Sequence, residues 1–177
     1  KFLTLYTFST ENWKRPKNEV EFLFNLLESF LKKKINNLIK RNIKLKFIGE
    51  LSKLPLSLKN LIKESEKKTL QNHGIQINIA LNYGSKSELI NALKLINKKN
   101  ISVNEKNINK NLFTKNIPNP DLMIRTGNTN RLSNFMLWQL AYTELYFIDK
   151  LWPDFKEYDY FNIIKKFKLI KRNYGAI

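Results

Sequence analysis

The side chains best suited to chemistry lie in two short polar segments, each of which follows an apolar run. One is residues 126–134, which comes directly after Arg125 and contains Arg131 and Ser133. A guanidinium group binds a phosphate through two parallel hydrogen bonds, and the free N–H groups at a helix start attract anions. The segment therefore predicts a diphosphate site. An ordinary loop with two surface arginines explains the spacing equally well, because the segment is neither a P-loop nor a dinucleotide motif.

The other polar segment, residues 9–16, has the sequence Ser-Thr-Glu-Asn-Trp-Lys-Arg-Pro and so combines hydroxyl, carboxylate, amide, aromatic and guanidinium groups. Its Arg15 is one of only five arginines in a chain whose basic residues are mostly lysine. Where lysine is used so freely, a retained arginine indicates a need for a planar, bidentate side chain. Trp13 could stack on a ligand, but packing in the core is the more common use of such a residue.

The metal chemistry open to the chain is restricted. It contains no cysteine and a single histidine, His73, which excludes disulfides, thiolate zinc sites and histidine clusters and disfavours a Ser-His-Asp triad. Any metal is expected to be a hard ion held by oxygen, such as Mg²⁺. Glu144 is a candidate ligand, since a carboxylate beside an apolar strand is costly without a metal or an arginine. A salt bridge is the simpler explanation.

The formal charge of +17 raises the question of a nucleic-acid partner. A basic surface attracts polyanions, but the lysines are dispersed along the chain, which is typical of a solvated lysine surface. We therefore expect no nucleic-acid partner. The chain has no apolar run of about twenty residues and does not begin with a signal-peptide pattern, so we expect a cytoplasmic protein.

Strand and helix patterns alternate along the chain. The predicted strands are residues 2–8, 43–48, 75–81, 122–125 and 144–147, and the predicted helices are 19–39, 57–72, 85–99, 134–141 and 158–173, with one short helix within 101–120. Capping motifs predict helix starts at Asn18 with Glu21 and at Ser85 with Glu88, and Gly74 is predicted to close a helix. The alternation predicts an α/β fold, with a mainly parallel central sheet and helices on both faces, in a single domain covering residues 1–177.

Ligands of such sheets bind beyond the carboxyl ends of the strands. Residues 9–15, 82–86 and 126–134 follow predicted strands and are expected to meet at one edge of the sheet. The first helix carries two apolar stripes, composed of Val20, Leu23, Phe24, Leu27 and Leu31 and of Phe22, Leu26 and Phe30. Two stripes are more than one sheet contact requires. The second stripe is expected to face another helix, a dimer partner or, beside an anion site, a hydrocarbon tunnel.

Two long stretches carry a resemblance to a known family. They are residues 6–16 (YTFSTENWKRP) followed by Glu19, and residues 121–155, which include DLMIRTG, RLSNF, ELYF and LWPDF. The tripeptides Phe47-Ile48-Gly49 and Asn82-Tyr83-Gly84 have similar counterparts in that family. Over essentially its whole length the chain resembles the cis-prenyltransferases, the family of undecaprenyl diphosphate synthase.

The resemblance implies an undecaprenyl diphosphate synthase-like fold and a transferase that condenses isopentenyl diphosphate with an allylic diphosphate, farnesyl diphosphate, in cis. It implies that Ser9, Thr10 and Glu11 line the substrate site, that Asn12 assists proton removal, and that Trp13 and Arg15 contact substrate. The residues implied to hold isopentenyl diphosphate are Arg125, Arg131, Leu132 and Ser133. Glu144 is implied to bind magnesium.

The resemblance also implies partners. Family members are typically homodimers that touch the inner face of the membrane to release product, and a lysine-rich surface would suit an anionic leaflet. In bacteria the long polyprenyl product serves as the undecaprenyl carrier lipid of cell-wall synthesis.

The chain departs from the family in several places. The family's first strand and its Asp-Gly-Asn-Gly-Arg phosphate loop are absent, so we expect an N-terminally incomplete chain that is inactive alone. A noncatalytic subunit of a two-subunit enzyme would also lack that loop, but would not explain the retained site residues. Further differences are Asn130 in place of a common histidine, Asn128-Thr129 in place of Gly-Glu, and Ser85-Lys86 in place of Gly-Arg.

Overall fold

The computed structural model describes residues 1–173 and shows alternating strands and helices. The elements are β1 (Phe2–Ser9), α1 (Lys17–Lys40), β2 (Lys44–Ile48), α2 (Leu56–Lys68), β3 (Gln76–Tyr83), α3 (Ser85–Lys98), α4 (Glu105–Asn111), β4 (Leu122–Arg125), β5 (Glu144–Phe147) and α5 (Glu157–Phe167). The chain divides into two compact units, Lys1–Pro118 and the residues from Asn119 onward. The predicted α/β class with a parallel sheet is confirmed, and the single domain over residues 1–177 stays a prediction.

The first unit is built on a three-stranded parallel sheet in which β3 lies between β1 and β2. Alternation along β3 directs Ile79 and Leu81 to one face, where they join the main apolar core. The helix residues buried in that core are Val20, Phe24, Leu31 and Ile35 of α1 and Leu58 and Ile62 of α2. The parallel arrangement brings the loops that follow all three strands to the same edge of the sheet.

Helix α1 is the longest element and uses its two apolar stripes differently. Residues of the first stripe are buried against the core, whereas Phe22, Leu26 and Phe30 of the second stripe are 64%, 57% and 48% exposed. Within residues 1–173, neither α1 nor any other helix is both long enough and apolar enough to cross a membrane.

The second unit contains a parallel pair of strands, β4 and β5, whose bounds are those predicted. Leu122 lies opposite Glu144 and Arg125 lies opposite Phe147. Arg125 is therefore the last residue of its strand, and residues 126–134 begin at the carboxyl end of this pair.

The predicted helix over residues 134–141 is wrong. This segment consists of successive turns. Ser133, Asn134 and Met136 have φ angles of 49°, 62° and 46°, which belong to the left-handed region and cannot continue a right-handed helix. The apolar periodicity that suggested a helix instead buries Met136 and Leu140 in turns.

Neither predicted capping motif caps its helix, although α3 does start at Ser85 as predicted. Helix α1 begins after Pro16, whose carbonyl accepts from the N–H groups of Glu19 and Val20 at 3.0 and 3.2 Å, with no side-chain cap. Helix α3 begins after Gly84. The fully buried Glu88 carboxylate does not cap it, because it accepts from the Tyr83 hydroxyl at 2.5 Å and from the Thr114 N–H at 3.2 Å.

Two predicted helix ends were too late. Helix α2 ends at Lys68 with Thr69 as its C-cap, and α5 ends at Phe167. Gly74 does not close α2. A Cβ added to Gly74 would lie 2.3 Å from the Asn42 carbonyl oxygen, so this glycine permits two backbone segments to approach closely.

Gly49 is the glycine on which the carboxyl edge of the sheet depends most, and Gly49→Ala is predicted to destabilise the protein by about 2–4 kcal/mol. Its φ is +127°, and an added Cβ would lie 2.1 Å from the Leu81 carbonyl oxygen. Urea unfolding should be compared with that of Gly127→Ala, where φ is +94° but an added Cβ meets nothing within 4 Å. Equal losses of stability would contradict the steric explanation.

Candidate active site

The loop after β1 is a 3-10 helix over Thr10–Lys14 that is braced by its own side chains. The Ser9 backbone N–H donates to Asn12 Oδ1 at 2.7 Å. The Thr10 hydroxyl donates to a Glu11 carboxylate oxygen at 3.0 Å. Asn12 therefore fixes the shape of the loop that the resemblance assigns to substrate.

Arg15, at the end of this loop, already has an anionic partner. Its guanidinium forms an ion pair with the Glu19 carboxylate one turn into α1, and both side chains are about half exposed. An exposed pair of this kind contributes little to stability. Glu19 therefore orients the Arg15 guanidinium, and a second anion could displace the Glu19 carboxylate at small cost.

Trp13 is both packed and accessible, so each of its two predicted uses has some support. Its ring makes edge-to-face contacts with Phe8 and Phe24, with centroids 5.3 and 5.5 Å away. The residue is nevertheless 39% exposed. Its indole N–H donates to Asn82 Oδ1 at 2.7 Å.

Asn82, near the carboxyl end of β3, connects this strand to the loops that follow β1 and β2, a role that the sequence did not reveal. Besides accepting from Trp13, its side-chain Nδ2 donates to the Glu50 carbonyl at 2.7 Å. Its backbone carbonyl accepts from the Glu50 N–H at 3.1 Å. Residues 9–15 and 82–86 therefore do meet at one edge of the sheet, as predicted. Residues 126–134, which were predicted to join them, instead follow β4 of the separate two-stranded sheet. The available signal was an asparagine at a strand end, where left-handed backbone is common.

An apolar cavity of about 390 Å³ lies beside this edge. Helix α1 contributes Leu23, Phe24, Leu26, Leu27 and Phe30 to its lining, and the strands contribute Leu5, Thr7, Phe8, Ile79 and Leu81. Both apolar stripes of α1 are represented, so the second stripe has a use that packing in the core does not explain. Phe8, which lines the cavity, is followed directly by the polar loop that begins at Ser9.

In the second unit, the loop after β4 is held by backbone bonds to the segment after β5. The N–H groups of Gly127 and Asn128 donate to the carbonyls of Lys150 and Ile148 at 2.8 and 3.2 Å. Arg125 Nε donates to the Thr129 hydroxyl at 3.1 Å. Since no helix follows, the predicted cradle of free helix N–H groups is wrong, and the groups in this loop that could bind an anion are its side chains.

The four residues implied to hold isopentenyl diphosphate all lie in or beside this loop. Arg125 and Leu132 are half-buried, while Arg131 and Ser133 are exposed. In the part of the chain that the structure describes, Arg131 takes part in no ion pair. Its guanidinium is thus available to a ligand, in contrast to that of Arg15.

Glu144, the candidate metal ligand, opens β5 at a polar recess of about 300 Å³. Lys171 and Arg172 line the same recess. Arg172 pairs with Asp121 at 2.6 Å and donates to the Tyr142 carbonyl at 3.0 Å. Across residues 1–173 no salt bridge involves Glu144. The alternative that this carboxylate serves only to form a salt bridge therefore has no support.

Glu144 could hold a metal ion only if water and substrate supplied most of the other ligands. Among the described residues, no group of three or more His, Cys, Asp or Glu side chains could enclose an ion. Magnesium, however, commonly uses one or two carboxylates and takes its remaining oxygens from water and substrate phosphates. Glu144 fits that arrangement, and the cations beside it fit the phosphates.

Comparison with known proteins decides the family. The family model described as "Putative undecaprenyl diphosphate synthase" matches residues 1–175. The chain belongs to the undecaprenyl diphosphate synthase family. It is 48% identical to an isoprenyl transferase of Prochlorococcus marinus, over 100% of this chain and 68% of that protein. It is 42% identical to a ditrans,polycis-undecaprenyl-diphosphate synthase of Micrococcus luteus, described as farnesyl-diphosphate specific, over 100% of this chain and 74% of that one.

The fold comparison agrees with this assignment. The crystal structure of a probable undecaprenyl diphosphate synthase from Campylobacter jejuni superposes with a TM-score of 0.92 and 40% identity, covering 99% of this chain and 84% of that one. The resemblance drawn from the sequence is thereby confirmed, and the protein is a prenyltransferase that elongates chains in cis. Because the matched relatives are named as transferases and synthases, a noncatalytic subunit is not favoured.

The segment after β5 is also fixed by an ion pair whose effect depends on pH. Lys150, whose carbonyl holds Gly127, donates through Nζ to Asp159 at 2.7 Å. This hydrogen bond, with a second from the Lys156 N–H, lowers the pKa of Asp159 below its ordinary value. A carboxylate with a lowered pKa stabilises the fold above its unfolded-state pKa, and that stabilisation is lost as the pH falls through the folded-state pKa.

We therefore predict that Asp159→Asn destabilises the protein at pH 7 and that the difference from wild type shrinks as the pH falls below about 4. Urea unfolding as a function of pH measures this. Asp149→Asn, which removes a nearby exposed carboxylate, should show no such convergence. A difference that stayed constant with pH would exclude the ion pair as its cause.

Proposed function

We propose that the protein condenses isopentenyl diphosphate with an allylic prenyl diphosphate, such as farnesyl diphosphate, to build a long cis-polyprenyl diphosphate. The observation that carries this proposal is the continuity of the apolar cavity with the polar loop at the end of β1. Phe8 lines the cavity and Ser9 opens the loop. This arrangement suits a substrate with a hydrocarbon chain and a charged head.

The loops after β1 and β4 would each bind a different part of the substrates. The hydrocarbon chain of the allylic substrate occupies the cavity against α1. Ser9, Thr10, Glu11, Trp13 and Arg15 line the site where its reacting end lies. In the second unit, Arg125 and Arg131 bind the diphosphate of isopentenyl diphosphate, and Ser133 and Leu132 complete that site. Guanidinium groups suit this task because they bind phosphate oxygens in pairs.

The transfer breaks the bond between the allylic carbon and its diphosphate oxygen, and the diphosphate leaves with the bonding electrons. The terminal carbon of the isopentenyl double bond forms a new bond to the allylic carbon, and the adjacent methylene group loses a proton to restore a double bond. A diphosphate oxygen accepts that proton, and Asn12 assists its removal from within the braced loop. Fixed cations stabilise the negative charge that develops on the leaving group.

Magnesium is the proposed cofactor, and Glu144 is the residue that would hold it. When bound, the ion would neutralise negative charge on a diphosphate. The lysine and arginine that share the recess with Glu144 would bind further diphosphate oxygens.

A homodimer is the proposed assembly, supported by exposed aromatic side chains in the second unit. Trp152, Tyr158 and Phe161 are 66%, 73% and 50% exposed. A surface of this kind is typical of an interaction site. Among possible partners, a second copy agrees with the behaviour implied by the resemblance.

The proposed place of action is the cytoplasm, with peripheral contact at the inner face of the membrane. The formal charge of +17 would attract an anionic leaflet. Contact with the leaflet would let a long polyprenyl product pass into lipid, where it would serve as the undecaprenyl carrier of cell-wall synthesis.

The function is tested by turnover of labelled isopentenyl diphosphate with farnesyl diphosphate and Mg²⁺, using the native gene product. Arg131→Ala is predicted to lower kcat/KM for isopentenyl diphosphate about 100-fold, because a bidentate, charge-assisted contact is lost. Arg41→Ala removes the same side chain from the exposed end of α1 and should leave turnover unchanged. Full activity in Arg131→Ala would remove this residue from the site.

Narrowing the cavity should shorten the product. Leu23→Trp places a larger ring in the lining and is predicted to shift the products toward fewer isoprene units, as measured by chromatography of the dephosphorylated chains. Phe22→Trp lies beside it on α1 but outside the cavity lining. An unchanged length distribution in Leu23→Trp would argue against the cavity as the chain's location.

A further inference from the structure

The side-chain amide of Asn82 forms hydrogen bonds through both its oxygen and its nitrogen, each with a loop that follows another strand. Its oxygen accepts from the Trp13 indole N–H at 2.7 Å, and its nitrogen donates to the Glu50 carbonyl at 2.7 Å. The residue is 3% exposed. A buried amide whose two ends are both bonded is costly to replace, because each partner would lose its hydrogen bond.

The backbone at this position narrows the choice of residue further. Asn82 has a φ of 48°, a left-handed conformation that asparagine tolerates better than most residues with a side chain. Aspartate would keep the acceptor for Trp13 but lose the donor to Glu50. Glycine would keep the backbone conformation and lose both bonds.

The bond to Trp13 matters because of where that ring lies. Phe8 and Phe24, which contact the indole, both line the apolar cavity. The same ring belongs to the loop that carries Asn12 and Arg15. The indole therefore lies at the junction between the cavity and the polar loop, and its N–H bond to Asn82 fixes how the ring is rotated there.

We infer that Asn82 is a positioning residue: by holding the Trp13 indole, it sets the geometry of the polar loop that borders the apolar cavity. This inference rests on the proposed function of that loop. Asn82 itself need not touch substrate. Since the two hydrogen bonds are made by a single buried side chain, displacement of either loop disturbs the other.

The hydrogen bond is tested first, without substrate. In ¹⁵N-labelled native gene product, the indole N–H resonances report the tryptophans, and the Trp13 resonance is identified by its loss in Trp13→Phe. Asn82→Gly should move this resonance upfield and speed its exchange with water, while Asn82→Asp should retain it. A Trp13 resonance unchanged in Asn82→Gly would overturn the inference.

Steady-state kinetics then tests positioning. Asn82→Gly is expected to lower kcat about tenfold with a smaller change in KM, since ground-state binding groups remain while their alignment is lost. Trp13→Phe removes the N–H but keeps an aromatic ring. If Asn82 acts through that N–H, the double variant should be no slower than Asn82→Gly.

The outcomes separate the two claims. If wild type turns over and Asn82→Gly retains its kcat, the positioning role is wrong. If the effects of Asn82→Gly and Trp13→Phe multiply in the double variant, Asn82 does not act through the indole, and the inference is again wrong. If Asn82→Gly fails to fold, Trp13→Phe alone decides, because a wild-type kcat in that variant would overturn the role. Absence of turnover in wild type would contradict the proposed function, while the resonance would still report the bond.

Discussion

The buried amide of Asn82 is the constraint on which the candidate site depends. Parallel strands bring three loops to one edge of the sheet, but parallel pairing alone does not fix the loops relative to one another. One side chain supplies that connection through a donor to Glu50 and an acceptor for Trp13. Gly49 makes the connection possible, because any side chain there would collide with the Leu81 carbonyl. These few contacts place the loop, whose own shape Asn12 fixes, beside the lining of the cavity.

The two arginine-bearing loops differ in a way that fits their proposed roles. Arg15 is held by Glu19 and is therefore oriented before any ligand arrives. Arg131 is exposed on a loop that is held by backbone bonds and by the Arg125–Thr129 hydrogen bond, and it has no ionic partner within the described residues. In a chain that uses lysine for most of its positive charge, these guanidinium groups are retained where diphosphates are expected.

Much of the fold could be predicted from the sequence, because strand alternation is a local signal. Strands β4 and β5 have the predicted bounds, and the first stripe of α1 is buried as expected. The failures have two causes. Residues 134–141 have apolar spacing typical of a helix, yet left-handed backbone at Ser133, Asn134 and Met136 prevents one. Ser85 and Glu88 match a capping motif, yet the Glu88 carboxylate accepts from the nearby Tyr83 hydroxyl and from the distant Thr114 N–H. Tertiary contacts outweighed the local pattern in that case.

In the candidate site, too, local features could be predicted and tertiary contacts could not. The residues of its two loops could be selected from their types and from the resemblance, whereas Asn82 gained its role only from partners far away in the chain. The most direct test of the whole account is the configuration of the double bonds formed when the native gene product extends farnesyl diphosphate with ¹³C-labelled isopentenyl diphosphate. NMR of the product is expected to show that every new double bond is cis. New double bonds in the trans configuration, or no chain growth at all, would contradict it.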